Sequence, residues 1–390
     1  MLPGSKSVTI LHQCRNVMKE GSLNRISKIR VAECSLKLPF TLRLGSTEIT
    51  TRDYVLLRVE TESGVYGEAL GYPRGTPLYD VLVNASRAVM GQDANMRQQV
   101  MNWLEFRNVP GRGALTRGLS LLEIALTDIA CKLAGQPLYR YLGGLKSEAR
   151  VTAVAGYYMD RRSIHEIADE VSGLVDSGYD RVKIMLKGDD LEFDRRYAAA
   201  VCERAPGRVA ADAHWSFATL TEAARLCTSL DGMGLAFLED PFSAADVRLT
   251  HELQTMLTTP IAAGEDVFGP SVFQDLVSGI GLLRVDATTC GGVAGAQQAI
   301  AIAAGAGRTV FPHVFAPLHV HFACAFANVE GAEWIPENSG ADPLGSLLRK
   351  VPEVHNGGIS PSEEPGAGIE IDWPRAEQYT KRVVDMTPES

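Results

Sequence analysis

The chain has no apolar run near the roughly 18 residues that a membrane span requires. Its longest small-apolar stretch, Val293 to Ala306, is shorter and is interrupted by Gln297 and Gln298. No CxxC pair occurs. Seven cysteines lie scattered at 14, 34, 131, 202, 227, 290 and 324, an odd and unpatterned set that speaks for reduced, mostly buried thiols rather than a disulfide framework. There is no basic tract with interleaved aromatics, and the net charge is −9. Phosphate backbones demand clustered Lys and Arg, so no nucleic-acid partner is expected. The first twenty residues lack the apolar core of about 7–15 residues that a secretory signal needs; no membrane association and a cytoplasmic location are expected. A glycine-rich phosphate turn is also missing: "CGGVAG" follows a late strand and has no acidic residue at the usual downstream distance, which weakens a dinucleotide reading.

What is present fits a globular enzyme. The 390 residues are 45% hydrophobic and 22% charged, enough for a large buried core. Residues 1–24 are polar and weakly patterned, and read as an N-terminal extension. From Arg30 to Ala69 the pattern is strand-like, with "VLLRVETESGVYGEAL" a hairpin around Ser63 and Gly64. From Thr76 to Tyr141 it turns helical, most clearly in "LTRGLSLLEIALTDIACKLAG", stopped by Gly135 and Pro137. Strands followed by helices make residues 25–145 an α+β domain. After Gly144 short apolar strands ("VTAVAG", "RVKIML", "RVAADAH", "LAFLEDP", "PIAAGED", "LLRVDAT", "TVFPHV") alternate with helical segments. Alternation over seven or eight units predicts a parallel sheet closed into a β/α barrel over 146–340. The loop-rich tail, 341–390, is expected to fold back onto the first domain.

The chemistry lies at the strand ends. Asp212, Glu239, Glu265, Asp286 and His313 each close a successive predicted strand, 21 to 27 residues apart, about one βα unit. In such a barrel all five converge on the C-terminal mouth, where active sites are built. A single carboxylate there reads equally well as a helix N-cap; five in register do not. Three carboxylates form a hard-oxygen site suited to Mg²⁺, whereas zinc favours more His or Cys. In "AADAHWSF", Asp212 and His214 stand two apart, on one face of a strand.

These segments resemble the mandelate racemase branch of the enolase superfamily, from about Arg30 to Tyr379. The resemblance implies a modified (β/α)7β barrel with an α+β capping domain made from the N-terminal segment and the C-terminal tail. It further implies metal ligands at Asp212 in "AADAHWSF", Glu239 in "FLEDPF" and Glu265 in "AAGEDVFG". An Asp–His dyad follows at Asp286 in "VDATTCGGVAG" and His313 in "FPHVF". The helical "ALTDIACKLAGQPLYRYLGG" resembles the capping-domain signature of that family. Proton abstraction next to a carboxylate builds an enediolate, whose charge a divalent cation and a lysine offset. His313, oriented by Asp286, is then the base and Lys183 the carboxylate-binding lysine. The family's usual Lys-x-Lys departs here: Met185 holds the second position in "RVKIMLKG", and Lys187 lies one step further out. With no base opposite His313 the expected reaction is one-faced dehydration of a sugar acid or related α-hydroxy acid, with His214 protonating the leaving hydroxyl. A racemase or epimerase using a shifted Lys187 is the alternative. Glu337, after Pro336, substitutes for a family glutamate that contacts the substrate carboxylate, with Glu333 just before it. His319 and His321 are read as local packing residues and Arg74 as a solvated loop arginine. Pro39–Ile49 and Gly71–Tyr79 are read as the loops that set specificity. The expected partners are a small carboxylate substrate and a second copy of the chain.

Overall fold

A computed structural model describes residues 23–45, 47–107, 112–243 and 245–388. Apart from Leu23 and Asn24, the expected extension over 1–24, with Cys14 and His12, lies outside them.

The chain first builds an antiparallel meander of β1 (Ile26–Leu44), β2 (Thr47–Thr61) and β3 (Tyr66–Gly71). Alternate residues of β1, among them Cys34, Leu36 and Leu38, are buried, as period-two patterning requires. Three helices follow: α1 (Leu78–Val89), α2 (Arg97–Arg107) and α3 (Arg112–Leu133). On α3, Leu119, Leu122, Leu126 and Ile129 repeat at helical spacing and are buried, each contributing about 2 kcal/mol. Strand and helix approach closely at Gly67, where a Cβ would stand 1.9 Å from the Ala125 carbonyl oxygen; only glycine fits there. The segment expected as a loop over 39–49 is instead mostly paired strand, with Leu42 opposite Ile49. A register shift between Lys37 and Leu42 accommodates Pro39, which has no N–H to give a ladder. Buried Leu42 and Leu44 keep the pairing going.

The barrel consists of β4 (Ala149–Ala155), β5 (Arg181–Met185), β6 (Val209–Asp212), β7 (Leu238–Glu239), β8 (Ile261–Ala263), β9 (Leu282–Val285), β10 (Thr309–Pro312) and β11 (Ala332–Trp334). Successive strands from β4 to β10 pair in parallel and β11 pairs with β4. A bridge between Val310 and Val329 closes the ring. Seven helices, from Ile164–Asp176 to Ala316–Ala325, alternate with the strands among the described residues, the (β/α)7β arrangement. Two of them open with reciprocal capping boxes, Ser163 with Glu166 and Thr219 with Glu222. Inside, Ala210, Phe237, Ala262, Leu282 and Phe311 form a small apolar plug. Above it the lumen becomes charged.

The tail pairs with strands of both units. Gly358–Ile359 pairs antiparallel with the start of β4, and Thr380–Met386 pairs with β1, Met386 opposite Ile29. No helix among the described residues is long and apolar enough to cross a membrane.

Candidate active site

Asp212 and Glu239 are the last residues of β6 and β7. Glu265, Asp286 and His313 follow the ends of β8, β9 and β10 by one or two positions. Lys183 points inward from β5. Together with His214 and Glu333, Lys183, Asp212, Glu265 and His313 line a tight pocket at the barrel mouth, roofed by Leu44, Arg52, Tyr72 and Arg74.

Lys183 is buried, and its Nζ lies 3.1 Å from Asp212 Oδ2, 3.0 Å from Glu239 Oε2 and 2.8 Å from Glu333 Oε1. It donates a well-aligned hydrogen bond to Glu239; the Glu333 approach is a charge contact. Burial works against the ammonium, but Glu239, Glu333 and Asp212 outweigh it and hold its pKa well above the usual lysine value. Beneath it lies Arg284, fully buried. Its Nε donates to Glu239 (2.9 Å), one terminal nitrogen to Glu333 (2.8 Å) and the other to the Phe311 and Pro312 carbonyls. Burial raises the Glu239 pKa to about 8 against the pull of Arg284 and Lys183. For Glu333, burial is overcome by Arg284 and Lys183, and the pKa falls to about 2.

His313 Nδ1 donates to Asp286 Oδ2 at 2.9 Å. Asp286 Oδ1 accepts from the Thr288 backbone N–H and hydroxyl, both at 2.7 Å. Although burial opposes its charge, the bond to His313 and nearby His319 keep Asp286 below the ordinary carboxylate range. With Nδ1 carrying the proton, Nε2 is left as an acceptor; it lies 3.0 Å from an Arg74 terminal nitrogen and 3.3 Å from Glu265 Oε2. Thr289 fixes the Glu265 backbone through a 2.6 Å bond to its carbonyl.

Asp212 Oδ1 accepts the His214 backbone N–H at 2.9 Å, so the pair forms an Asx turn and not a continued strand. His214 and Trp215 both take positive φ, 45° and 56°, a strain that persists only where surroundings enforce it. The two rings stack at 4.5 Å, and Trp215 Nε1 donates to Asp240 Oδ2 at 3.0 Å. Burial lowers the His214 pKa, with Asp212 opposing.

Carboxylate oxygens of Glu239, Asp240 and Glu265 come within 4.8 Å of one another. Asp240 Oδ1 is buried and has no hydrogen-bond partner among the described residues. A buried, orphaned carboxylate oxygen in an all-oxygen cluster fits a hard divalent cation. Asp212, at the end of the neighbouring strand, extends the cluster through Lys183.

Other expected residues fall elsewhere. Glu337 is exposed on a short 3-10 turn and is not part of this cavity lining, because β11 turns inward at Glu333 and the chain has left the mouth by Pro336. Glu333 takes the inward position. Lys187 Nζ pairs with Asp160 at 2.8 Å and lies over the Phe193 ring, away from the cavity, whereas Met185 lines it. Arg74 is not a solvated loop residue: one terminal nitrogen reaches Glu265 at 2.8 Å and Asp266 at 3.0 Å, and its guanidinium carbon lies 5.3 Å from the Trp215 ring centroid. His319 and His321 are buried and bond locally, to Val314 and Ala287 and to the Tyr139 N–H. Half-buried His251 bonds the Leu276 carbonyl.

A capped (β/α)7β barrel with carboxylates, a lysine and an Asp–His pair at its mouth defines an enolase-type architecture. The chain belongs to the mandelate racemase / muconate lactonizing enzyme family. The N-terminal model of that family matches residues 26–143, and the enolase C-terminal domain-like model matches residues 166–376. It is an enzyme of the enolase superfamily. Among curated relatives it is 26% identical over 278 residues to an arabinonate dehydratase of Saccharolobus solfataricus, covering 69% of this chain and 73% of that one. It is 28% identical over 373 residues to a D-galactarolactone cycloisomerase of Agrobacterium fabrum, covering 89% and 97%. Among solved structures, an L-talarate/galactarate dehydratase from Salmonella typhimurium superposes with a TM-score of 0.84 at 21% identity, covering 93% of both chains. An L-talarate dehydratase from Polaromonas, complexed with Mg and L-glucarate, gives 0.83 at 22% identity, covering 93% and 99%.

Proposed function

We propose that the protein is a Mg²⁺-dependent dehydratase of a sugar acid, removing the proton alpha to the carboxylate and eliminating water to a 2-keto acid. The observation that carries this reading is one-sidedness. His313 presents Nε2 to the cavity with Nδ1–H committed to Asp286, while the opposite wall offers Met185, and Lys187 is engaged with Asp160. A single base abstracts a proton but does not return one to the other face, so elimination is favoured over racemisation. The dehydratases among the relatives add to the case.

In this reading Lys183 neutralises charge growing on the substrate carboxylate, and His313 takes the alpha proton. Asp212, Glu239 and Glu265, with Asp240 beside them, would hold Mg²⁺, which when bound would supply positive charge at the same carboxylate. His214 lines the same cavity and protonates the leaving hydroxyl. The alternative source of that proton is His313 itself, which has just acquired one. His214→Asn separates the two: loss of elimination with alpha-proton exchange retained assigns the acid to His214.

The test is incubation with a panel of sugar acids and Mg²⁺ in D₂O, following 2-keto product and deuterium at the alpha carbon. Product that disappears with EDTA is expected. Recovery of both alpha stereoisomers without a keto product would establish the racemase alternative instead.

A further inference from the structure

The backbone ladder beneath the Asp–His pair runs out just where the pair begins. Strands β9 and β10 pair in parallel as far as Val285 and Pro312, and the His313 N–H on the Val285 carbonyl, at 2.9 Å, is the last backbone rung. Beyond it the two chains part into different turns. The Thr289 and Cys290 N–H groups fold back onto the Asp286 carbonyl. Val314 and Phe315 take φ of 37° and 40°, a left-handed conformation unusual for branched or bulky side chains. A turn of that kind persists only where its surroundings enforce it.

One side chain joins the two turns. His319, on the helix Ala316–Ala325 and fully buried, donates from Nδ1 to the Val314 carbonyl at 2.7 Å. Its Nε2 accepts the Ala287 N–H at 3.1 Å. Val314 directly follows His313, and Ala287 directly follows Asp286, so the imidazole stands where the next rung would be. Apart from the dyad's own bond, no other hydrogen bond joins these turns among the described residues. Phe322 stacks on the ring with centroids 5.8 Å apart, and Phe315 meets it edge-on at 6.4 Å, which fixes its plane. A carbonyl only accepts and a backbone N–H only donates, so a neutral ring with its proton on Nδ1 satisfies both. Asp286 Oδ1, 3.7 Å from Nε2, is beyond hydrogen-bond reach and leaves that lone pair to Ala287.

We propose that His319 is a positioning residue: it sets the spacing of the β9 and β10 ends and so holds the His313–Asp286 bond at 2.9 Å. This role rests on the reading of His313 as the base. His319 is not among the residues that line the pocket and touches no reacting atom. Its effect reaches the chemistry through the two backbones, where a displacement of about 1 Å costs about 100-fold in rate.

The experiment combines kinetics on a turned-over sugar acid with Mg²⁺ and NMR of the full chain labelled with ¹⁵N-histidine. The His313 Nδ1–H resonance is identified by its loss in His313→Asn. His319→Gln carries a donor and an acceptor at the spacing of the two ring nitrogens, and should keep kcat within about tenfold of wild type with the resonance in place. His319→Phe fills the same space with neither; kcat should fall about 100-fold with KM little changed, and the resonance should broaden or vanish. If circular dichroism shows His319→Phe unfolded, His319→Asn replaces it with the same expectation, since it keeps the Val314 donor and loses the Ala287 acceptor. A folded His319→Phe within about tenfold of wild type in kcat, or a His319→Gln as slow as His319→Phe, would overturn the role. If the wild type turns over no acid, the dehydratase reading falls and the resonance alone decides. A signal lost in His319→Phe and kept in His319→Gln supports the rung; a wild type without the signal, or variants that respond alike, refutes it.

Discussion

Asp286→Asn replaces a single oxygen by nitrogen, and the surrounding donors dictate which way the amide turns. Oδ1 accepts from the Thr288 N–H at 2.7 Å. A backbone N–H only donates, so the asparagine carbonyl must stay there, and the amide NH₂ must face His313 Nδ1. That nitrogen then has to accept, the ring proton moves to Nε2, and the base presents N–H to the cavity where it had a lone pair. The Arg74 nitrogen 3.0 Å from Nε2 makes the new tautomer worse still, setting donor against donor. Loss of a positioned base costs about 10²- to 10⁴-fold in rate, and the size of the side chain is unchanged. The assay is alpha-proton exchange of a turned-over acid in D₂O, with circular dichroism to confirm the fold. A variant within about tenfold of wild type would refute the tautomer argument.

Two other outcomes follow from burial. Arg284→Met removes the cation that partners Glu239 and Glu333 in the barrel floor. With Lys183 left as the nearest cation to both, the loss should be about 3 kcal/mol in urea unfolding without metal, and a loss under about 1 kcal/mol would show that Arg284 is not needed to balance them. His321 is fully buried, and burial pushes its pKa down to about 3 from 6.5. The folded state thus favours the neutral ring: its contribution is complete above pH 6.5 and is lost as pH falls toward 3, at up to about 1.4 kcal/mol per pH unit. Urea titrations from pH 7 to pH 4 should show a shallower fall for His321→Asn than for wild type; parallel curves would rule this out.

The strand-end residues were legible because each interrupts an apolar run at the point where a barrel strand opens to solvent. Arg284 was not singled out, although it stands two residues before Asp286 in "LLRVDA"; a charge inside an apolar strand was the available signal. Glu333 was passed over for Glu337 because β11 is only three residues long and gives no alternation from which to choose a face. Asp240 looked like a neighbour of Glu239, and only a turn with φ of 40° brings it to the cluster. Arg74 sits in a connection without periodicity, and its contacts come from residues almost 200 positions away. Pro39 concealed the continuation of β1, because a bulge reads locally as a strand end.

Asp342 ties the two units together from the barrel side, taking the buried hydroxyls of Tyr54 and Tyr72, one on β2 and one just after β3. Swinging the capping sheet away as a rigid body would strip a buried carboxylate of both tyrosine donors at once, leaving it the Leu344 N–H alone. The entrance must therefore work at its edges. At Gly45, φ is 55° and a Cβ would meet Ser216 Oγ at 2.9 Å and the His214 carbonyl at 3.0 Å, so the hairpin tip rests directly on the turn that carries His214. Substrate exchange is then a matter of loop excursions, on nanosecond-to-microsecond scales, and not of the slower closure of one domain upon another.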